Sequence, residues 1–576
     1  MDLTLRIGGE AGQGLQIIGM VLTRALAASG FNTITVQDYE SRIRGGHNHV
    51  TIRVADRPVM AIGTGVDLLI CLDEVTYERH QSYLTERGKV IGPPKVLPDD
   101  ADGATVIAVD FEELAKEHGG SGIMSNSAAA GAAFAALGGE LPILNQLLSH
   151  MFGEKGEDIV DRNLAVAKAG YDQVRHDISV DSPIGSIDPD VLSRLLIKGN
   201  EAIASGAIAA GVQFVSSYPM TPSTSISEYI AEHGPEHGVW VEQAEDEIAA
   251  VHLAIGASSA GRRAMTATSG GGFALMTEAL SLAGSAEIPL VVVDAQRPGP
   301  ATGLPTRTEQ GDLLFAVYAG HGDFPRAVLA PGDPPEAFRA MGKAFYLAEK
   351  YQTPVIVMTD QYLADTHRTI HEECFCGFDK AIDTGLPEGI GEGSYLRYRV
   401  TESGISPLIT PGTPGEVVVI CGDEHDEAGH LIEDGETRIQ MMEKRMRKAK
   451  SLAAEITGPV CLGPEKAEVT LVCFGSTKGP LSEAISAINE ELGIEEVRGA
   501  HFSEVWPFPV DATKAVLSSS GKVVVVESNY SGHLEKLLLS EAMVKADGSI
   551  RRYDGRPFTV DYIVSAYMRL RGDILE

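Results

Sequence analysis

The feature that most constrains this chain is a recurring short run of β-branched and aliphatic residues, each about the length of one buried strand. "TVIAVD", "RAMTAT", "PLVVVDA", "PVIVMTD", "EVTLVCFG" and "KVVVVES" are such runs. Stretches with helical spacing separate most of them. A run that is apolar throughout must be covered on both faces, and strands joined through helices pair in parallel. The pattern predicts an α/β chain of tandem doubly wound parallel-sheet domains. With 576 residues there is room for three or four of them.

Four regions follow from where the periodicity stops. Residues 1 to 180 open with a strand, "LTLRI", a glycine loop, "GGEAGQG", and a helix, "LQIIGMVLTRALAASG"; later strands are "TITV", "DLLICL" and "KVIGP". The stretch "RHDISVDSPIGSIDPD" (175–190) gains Pro, Asp and Ser and reads as a linker. A second α/β region spans 191–385, an irregular segment with a charged helix spans 386–465, and a smaller α/β region spans 466–576. Ile439, Met442 and Met446 share one face of that helix, as a surface or interdomain helix requires. No motif recurs at a fixed period, so the regions are related architectures rather than repeats.

Composition narrows the function. A formal net charge of −33 repels phosphate backbones and anionic bilayers, which disfavours nucleic-acid and membrane-surface binding. The six cysteines (71, 374, 376, 421, 461 and 473) form no C-x-x-C, and iron–sulfur clusters need thiolates in set spacings. Reduced thiols of a cytoplasmic protein are the favoured reading, with no metal site assigned. The N-terminus lacks a signal pattern and no apolar run reaches spanning length, so a soluble, unexported protein is expected.

Several loops carry the residue types that bind ligands. Gly9, Gly12 and Gly14 read G-x-x-G-x-G, not the dinucleotide order G-x-G-x-x-G. A strand–loop–helix junction still offers free N–H groups to a phosphate, although a tight turn explains the glycines equally well. "SRIRGGHNH" adds Arg42, Arg44 and His47, a cationic loop suited to an anion or to acidic neighbours. In "SSYPMTPSTS", Pro219 and Pro222 stiffen the exit from a strand, and Ser223 or Thr224 suits a helix cap. Thr221 lies between those prolines, near the strand ends where open α/β sheets bind ligands.

In "VEQAEDEIAAVH", most of the acids read as a solvated helix start. Glu247 adjoins the apolar run, where desolvation would raise a carboxyl's pKa and let it hold a proton. "TATSGGGFALM" places Ser269 and Gly270 at a strand-to-helix turn that a flat ligand can approach, or that is simply a turn. "RPGPATGLPTRTEQGD" holds Arg297 and Arg307 in a stiff loop, fit to clamp a carboxylate or to pair on the surface.

Taken together and in order, "SSYPMTPSTS", "EQAEDEIAAVHLAIGAS", "TATSGGGFALMTEAL" and "GLPTRTEQGDL" resemble the α subunit of 2-oxoacid:ferredoxin oxidoreductases. "GGEAGQGLQIIGMVLTRAL" with "SRIRGGHNH" resembles that family's γ domain, here fused ahead of the α part, and "DEHDEAGHLIED" with "MMEKRMRKAK" resembles the fused form. The resemblance implies a γ-like domain, a thiamine pyrimidine-binding domain and a transketolase C-terminal-like domain. It implies thiamine diphosphate shared with a β subunit that carries the diphosphate site, Mg²⁺ and a [4Fe–4S] cluster. This sequence has neither a GDG motif followed at about thirty residues by Asn nor cluster cysteines, in keeping with that division.

By the same resemblance Glu247, with Glu245 as the neighbouring alternative, meets the cofactor's aminopyrimidine. Tyr218, Pro219 and Thr221 line the reacting centre beside Ser269 and Gly270, and Arg307 pairs with the substrate carboxylate. Gly12, Gly14 and Arg44 contact coenzyme A. The implied reaction is CoA-dependent oxidative decarboxylation of a 2-oxoacid, or the reverse, in an (αβ)₂ assembly that reduces ferredoxin. The fused arrangement resembles the 2-oxoglutarate type and the broad-specificity 2-oxoacid type, and 2-oxoglutarate is preferred; a pyruvate or branched-chain enzyme and a non-catalytic assembly subunit are the alternatives. A nicotinamide-binding dehydrogenase using the N-terminal loop is disfavoured by its glycine order. "YPMTP" carries Met220 where many relatives have Ile, a change of similar size.

Overall fold

The structure, a computed structural model, describes residues 1–41, 45–98, 104–119, 121–175, 193–376 and 395–575. Arg42, Arg44 and nearly all of the expected linker lie outside the described residues. The chain forms two compact units. One comprises Met1–Ile197, Asp365–Cys374 and Thr559–Asp561; the other comprises Lys198–Ala364, Phe375–Phe558 and Tyr562–Glu576.

The first unit is built on an eight-stranded sheet. Its order is Thr105–Ala108, Leu84–Gly92, Val66–Cys71, Asp2–Ala11, Gly45–Ala55, Asn32–Asp38, His367–His371 and Arg194–Ile197. The pairings from Asp2–Ala11 out to Thr105–Ala108 are parallel, as the pattern predicts. The other half is antiparallel, so a wholly parallel sheet is corrected here. The physical reason is Gly45–Ala55. The sequence reading takes "GGHNH" as loop, but this segment pairs tightly with Asp2–Ala11, Ile7 facing Val50, and with Asn32–Asp38. The strand Asp2–Ala11 likewise absorbs Gly8 and Gly9, leaving only Gly12–Gly14 as the turn.

The second unit contains two sheets. The larger has the order Glu504–Trp506, Ala327–Leu329, Pro354–Asp360, Leu290–Gln296, Ala264–Thr268, Phe214–Ser217 and Trp240–Gln243, parallel except at its Glu504–Trp506 edge. The smaller has the order Val460–Leu462, Val497–Phe502, Val469–Phe474, Lys522–Glu527 and Gly548–Arg551, antiparallel only at Val460–Leu462. One shared core includes Val292, Ile356, Val472 and Phe502 from both sheets. Gln310 ties them by hydrogen bonds. Its Nε2 donates to Phe474 O at 3.0 Å, and its Oε1 accepts from Thr477 Oγ1 at 3.0 Å and Ser528 N at 3.1 Å.

In the larger sheet Phe214–Ser217 is followed in sequence by the edge strand Trp240–Gln243, and the chain then crosses back to Ala264–Thr268 on its other side. The strand order therefore reverses between Ser217 and Thr268. Loops leaving such adjacent strands diverge to opposite faces and open a crevice at their C-terminal ends. Among the described residues no helix is long and apolar enough to cross a membrane.

Candidate functional site

Two of the loops singled out in the sequence leave the sheet at this reversal. The strand Phe214–Ser217 runs into Tyr218–Pro222, and Ala264–Thr268 runs into Ser269–Gly272. Three anchors fix the first loop. Ser216 Oγ donates to Ala250 O at 2.6 Å, Asn200 Nδ2 donates to Pro222 O at 2.8 Å, and Arg297 Nη1 donates to Thr221 O at 2.6 Å. Arg297 is thus a support for the backbone of this loop. Ser223 stands at the helix N-cap, but its Oγ donates to Met220 O at 2.7 Å, so the expected side-chain cap is not made. Tyr218 and Pro219 are exposed and Thr221 is half-buried.

Glu247 begins the helix Glu247–Ser259, which Asp246 caps by accepting a hydrogen bond from Ala249 N at 2.7 Å. The side chain turns inward. Glu247 is only 4% exposed, and its Oε1 is buried with no hydrogen-bond partner. Gly272 makes room for it: a Cβ there would stand 2.7 Å from Glu247 Oε1 and would overlap Thr268 Oγ1. Thr268 Oγ1 in turn lies 3.9 Å from Met220 Sδ. Glu247, Thr268, Gly272 and the Met220 bend are therefore one neighbourhood. Ser269 Oγ is also buried and unpartnered, and Ser269 is the N-cap residue of the helix Gly270–Leu275 without a side-chain cap bond.

A second set of acids borders this neighbourhood. Gly270 has no room for a Cβ because Asp312 Oδ2 occupies the space. Asp312 Oδ2 is itself buried without a partner, as are both carboxylate oxygens of Asp294 near the end of Leu290–Gln296. Burial, then the nearby Asp312 charge, pushes the Asp294 carboxyl well above the ordinary range. Burial raises Asp312 to about 6 against the pull of Arg297, and raises Glu309, also facing Asp312, to about 7. A site edge that keeps protons on carboxyls near neutral pH is typical of reaction centres.

Arg307 lies in the loop after Gly303, half-buried, with its stem against Gly555; a Cβ on Gly555 would stand 3.2 Å from Arg307 Cβ. Glu245 is exposed, which favours Glu247 over it for a buried role. A separate cavity of about 120 Å³ lies at Ser258, Ser259 and Arg263 beside Leu408–Thr410. It adjoins the far end of the helix that Glu247 begins, roughly 17 Å along the axis, and does not include Glu247.

In the first unit, Gly14 is the left-handed N-cap of the helix Leu15–Ala28, with Asn126 filling the space a side chain would need. Gly12 also has positive φ and an open flank. Both line a cleft of about 350 Å³ together with Gln16, Asp38, Glu40 and His49. Asp38 and Glu40 make that rim acidic; Arg44, expected to offset them, lies outside the described residues.

Comparison with known proteins fits this geometry. The family profile described as pyruvate flavodoxin/ferredoxin oxidoreductase, thiamine diP-bdg, matches residues 205–444, which hold the Glu247 neighbourhood. The profile described as pyruvate ferredoxin/flavodoxin oxidoreductase matches residues 4–173. The 2-oxoacid:ferredoxin oxidoreductase 2 subunit alpha of Aeropyrum pernix is 32% identical, covering 99% of this chain and 98% of its own. This chain belongs to the 2-oxoacid:ferredoxin oxidoreductase α subunits. The 2-oxoglutarate oxidoreductase subunit KorA of Mycobacterium tuberculosis is 29% identical over 98% of this chain and 90% of its own. A solved 2-oxoglutarate:ferredoxin oxidoreductase from Magnetococcus marinus, with 2-oxoglutarate, coenzyme A and succinyl-CoA bound, matches with a TM-score of 0.91. It is 33% identical and covers 100% of this chain and 99% of its own.

Within this family frame, the sequence reading singles out Glu247, Thr221, Ser269 and Gly270, which the fold gathers at one strand-order reversal. It misses Asp294 and Asp312. Asp294 lies near the end of an apolar run, "VVVDA", and reads as strand; its burial in the folded unit, and then the nearby Asp312, make it unusual.

Proposed function

We propose that this α subunit catalyses CoA-dependent oxidative decarboxylation of 2-oxoglutarate to succinyl-CoA, or the reverse carboxylation, with ferredoxin as electron carrier. The full-length likeness to the Magnetococcus marinus enzyme carries the choice of substrate. The relatives named only as 2-oxoacid:ferredoxin oxidoreductases favour a second reading, a broader or pyruvate-using enzyme.

The residues at the strand-order reversal fit thiamine diphosphate. The buried, unpartnered Glu247 Oε1 suits a ring nitrogen that gives or shares a proton, and Gly270 and Gly272 let a flat ring approach the backbone. When bound, thiamine diphosphate supplies the electron sink for loss of CO₂ from a 2-oxo acid. Glu247 would hold that ring nitrogen by a hydrogen bond, which its low exposure would strengthen. Thr221, with Tyr218 and Pro219, lines the reacting centre. Ser269 donates to the cofactor, and Arg307 pairs with the substrate's carboxylate as a forked donor. In the first unit, Gly12, Gly14 and Arg44 contact the phosphates of coenzyme A. A β subunit supplies the diphosphate site, Mg²⁺ and a [4Fe–4S] cluster in an (αβ)₂ assembly.

Turnover of a 2-oxoacid panel by the reconstituted complex tests the substrate. A kcat/KM for 2-oxoglutarate above that for pyruvate is expected, and the reverse order overturns it. Glu247→Gln tests the site. The exchange is expected to lower kcat by about 10²-fold or more, while near-normal turnover removes Glu247 from catalysis.

A further inference from the structure

The first unit holds a group of side chains that the reading above leaves unused. His47 and His49 are two apart on the strand Gly45–Ala55, so both point to one face of the sheet. His80 ends the helix Glu74–His80, which packs on that face. One ring nitrogen from each of the three lies within 4.8 Å of the others, and this is the one such converging ligand group among the described residues. The ring centroids of His80 stand 5.0 Å from His47 and 4.7 Å from His49. We infer that His47, His49 and His80 form a site for one divalent cation of the Zn²⁺ class, with the fourth position left for water or an anionic oxygen.

Four features support a built site. His47 and His80 face each other through Nε2 atoms 2.8 Å apart. A tetrahedral Zn²⁺ with bonds of about 2.0–2.1 Å separates its nitrogen ligands by roughly 3.3 Å, so the pair needs to open by only about half an ångström. The approach is also protected. Gly8 leaves no room for a side chain, since a Cβ would stand 2.6 Å from Thr76 Cγ2 and 3.0 Å from His47 Cε1. A carboxylate stands on the outer side of one ligand: Asp38 Oδ1 lies 4.0 Å from His49 Nδ1, close to where a second ligation shell would place it. Finally, His49 also lines the cleft beside Gly12 and Gly14, which gives the open position a route to solvent.

One group opposes the cation. Arg6 Nη1 lies 3.3 Å from His80 Nδ1. Without metal, Arg6 donates to Nδ1, and His80 Nε2–H donates to His47 Nε2. On binding, the cation takes the place of that proton between the two Nε2 atoms, and the proton moves to Nδ1 of the same ring, facing Arg6. The guanidinium therefore weakens the site, and its removal strengthens it.

The test uses the untagged full chain, stripped with chelator and titrated with Zn²⁺ and, for its spectrum, Co²⁺. Roughly one equivalent of Zn²⁺ is expected per chain, with Co²⁺ giving the intense visible bands of four-coordination and no thiolate charge-transfer band. His49→Gln and His80→Gln should each lower affinity by about 10-fold or more. Arg6→Gln should raise it, and His252→Gln should leave it unchanged. Weak pink six-coordinate Co²⁺, thiolate bands, or affinity unmoved by both histidine variants overturns the site. Should the histidine variants misfold by circular dichroism, the wild-type Co²⁺ spectrum and the Arg6→Gln affinity decide it alone.

Discussion

The second unit buries carboxylates in two ways. Glu287 is fully buried, and Lys444 Nζ at 2.6 Å and Lys448 Nζ at 2.8 Å both donate to it. Arg397 closes the shell by donating to the Glu287 carbonyl at 2.5 Å. Burial alone would raise that carboxyl, but the two ammonium groups overcome it and hold Glu287 at about 2. Glu247, Asp294 and Asp312 are the opposite case: one carboxyl oxygen of Glu247, one of Asp312 and both of Asp294 are buried without a hydrogen-bond partner among the described residues. Leaving a buried polar group unpaired typically costs about 1–3 kcal/mol, more for a charge. The fold satisfies Glu287 fully and leaves buried oxygens of three other carboxyls open around one crevice, the place proposed above for a ligand. The Glu287 cluster fastens the helix Gly435–Glu455 to the domain; the other cluster borders the proposed ligand site.

The largest expected effect separates the two directly. Glu287→Gln strands two buried ammonium groups without a counter-charge and should cost about 3–5 kcal/mol in urea unfolding. Glu247→Gln removes an unpaired buried carboxyl and should change stability by less than about 1 kcal/mol, in the stabilising direction, while activity falls. Equal losses of stability in both variants would erase the distinction.

What the sequence disclosed follows the same line. Glu247 was legible because an acid abuts an apolar helical run, and a local pattern of that kind needs no partner to be noticed. Glu287 was not legible, since its lysines lie 157 and 161 residues away and meet it only in the folded unit. Asp294, and the convergence of His47 and His49 on His80, were hidden for the same reason. The parallel strands showed as apolar runs because both faces are buried. Gly45–Ala55, which bears histidines on one face, alternates too weakly to stand out, so the antiparallel half of its sheet went unread. The bend at 218–222 was visible as stiffness, but its anchor, Arg297 on the Thr221 carbonyl, required the fold.

A smaller effect sharpens the contrast through pH. Glu287 is held below its ordinary value near 4.5, so its stabilisation is complete above that value and is lost as pH falls toward about 2. Asp312 and Glu309 are raised to about 6 and about 7, so the folded state binds their protons more tightly than the unfolded chain does. Their contribution is complete below the ordinary carboxyl range and is lost as pH rises through 6 and 7. Asp312→Asn should therefore flatten the decline in stability between about pH 4 and 6, by roughly 1 kcal/mol once partial solvation is allowed for. A decline as steep as in the wild type would show that Asp312 ionises normally.

The finest distinction concerns two buried serines on neighbouring strands. Ser216 Oγ is satisfied, donating to Ala250 O at 2.6 Å, and Ser269 Oγ, at the end of the adjacent strand, has no partner. Removing a satisfied hydroxyl forfeits its hydrogen bond and strands the carbonyl, so Ser216→Ala should cost about 1 kcal/mol. Ser269→Ala removes a group that gains nothing from the folded chain and should leave stability within about 0.5 kcal/mol of wild type. If that hydroxyl exists to meet the cofactor, the same substitution should raise the thiamine diphosphate concentration needed for half-maximal activity several-fold, whereas Ser216→Ala should move it far less. Matching shifts in both variants would mean that the unpaired hydroxyl marks ordinary packing, and the unmet carboxyls around it would lose their closest corroboration.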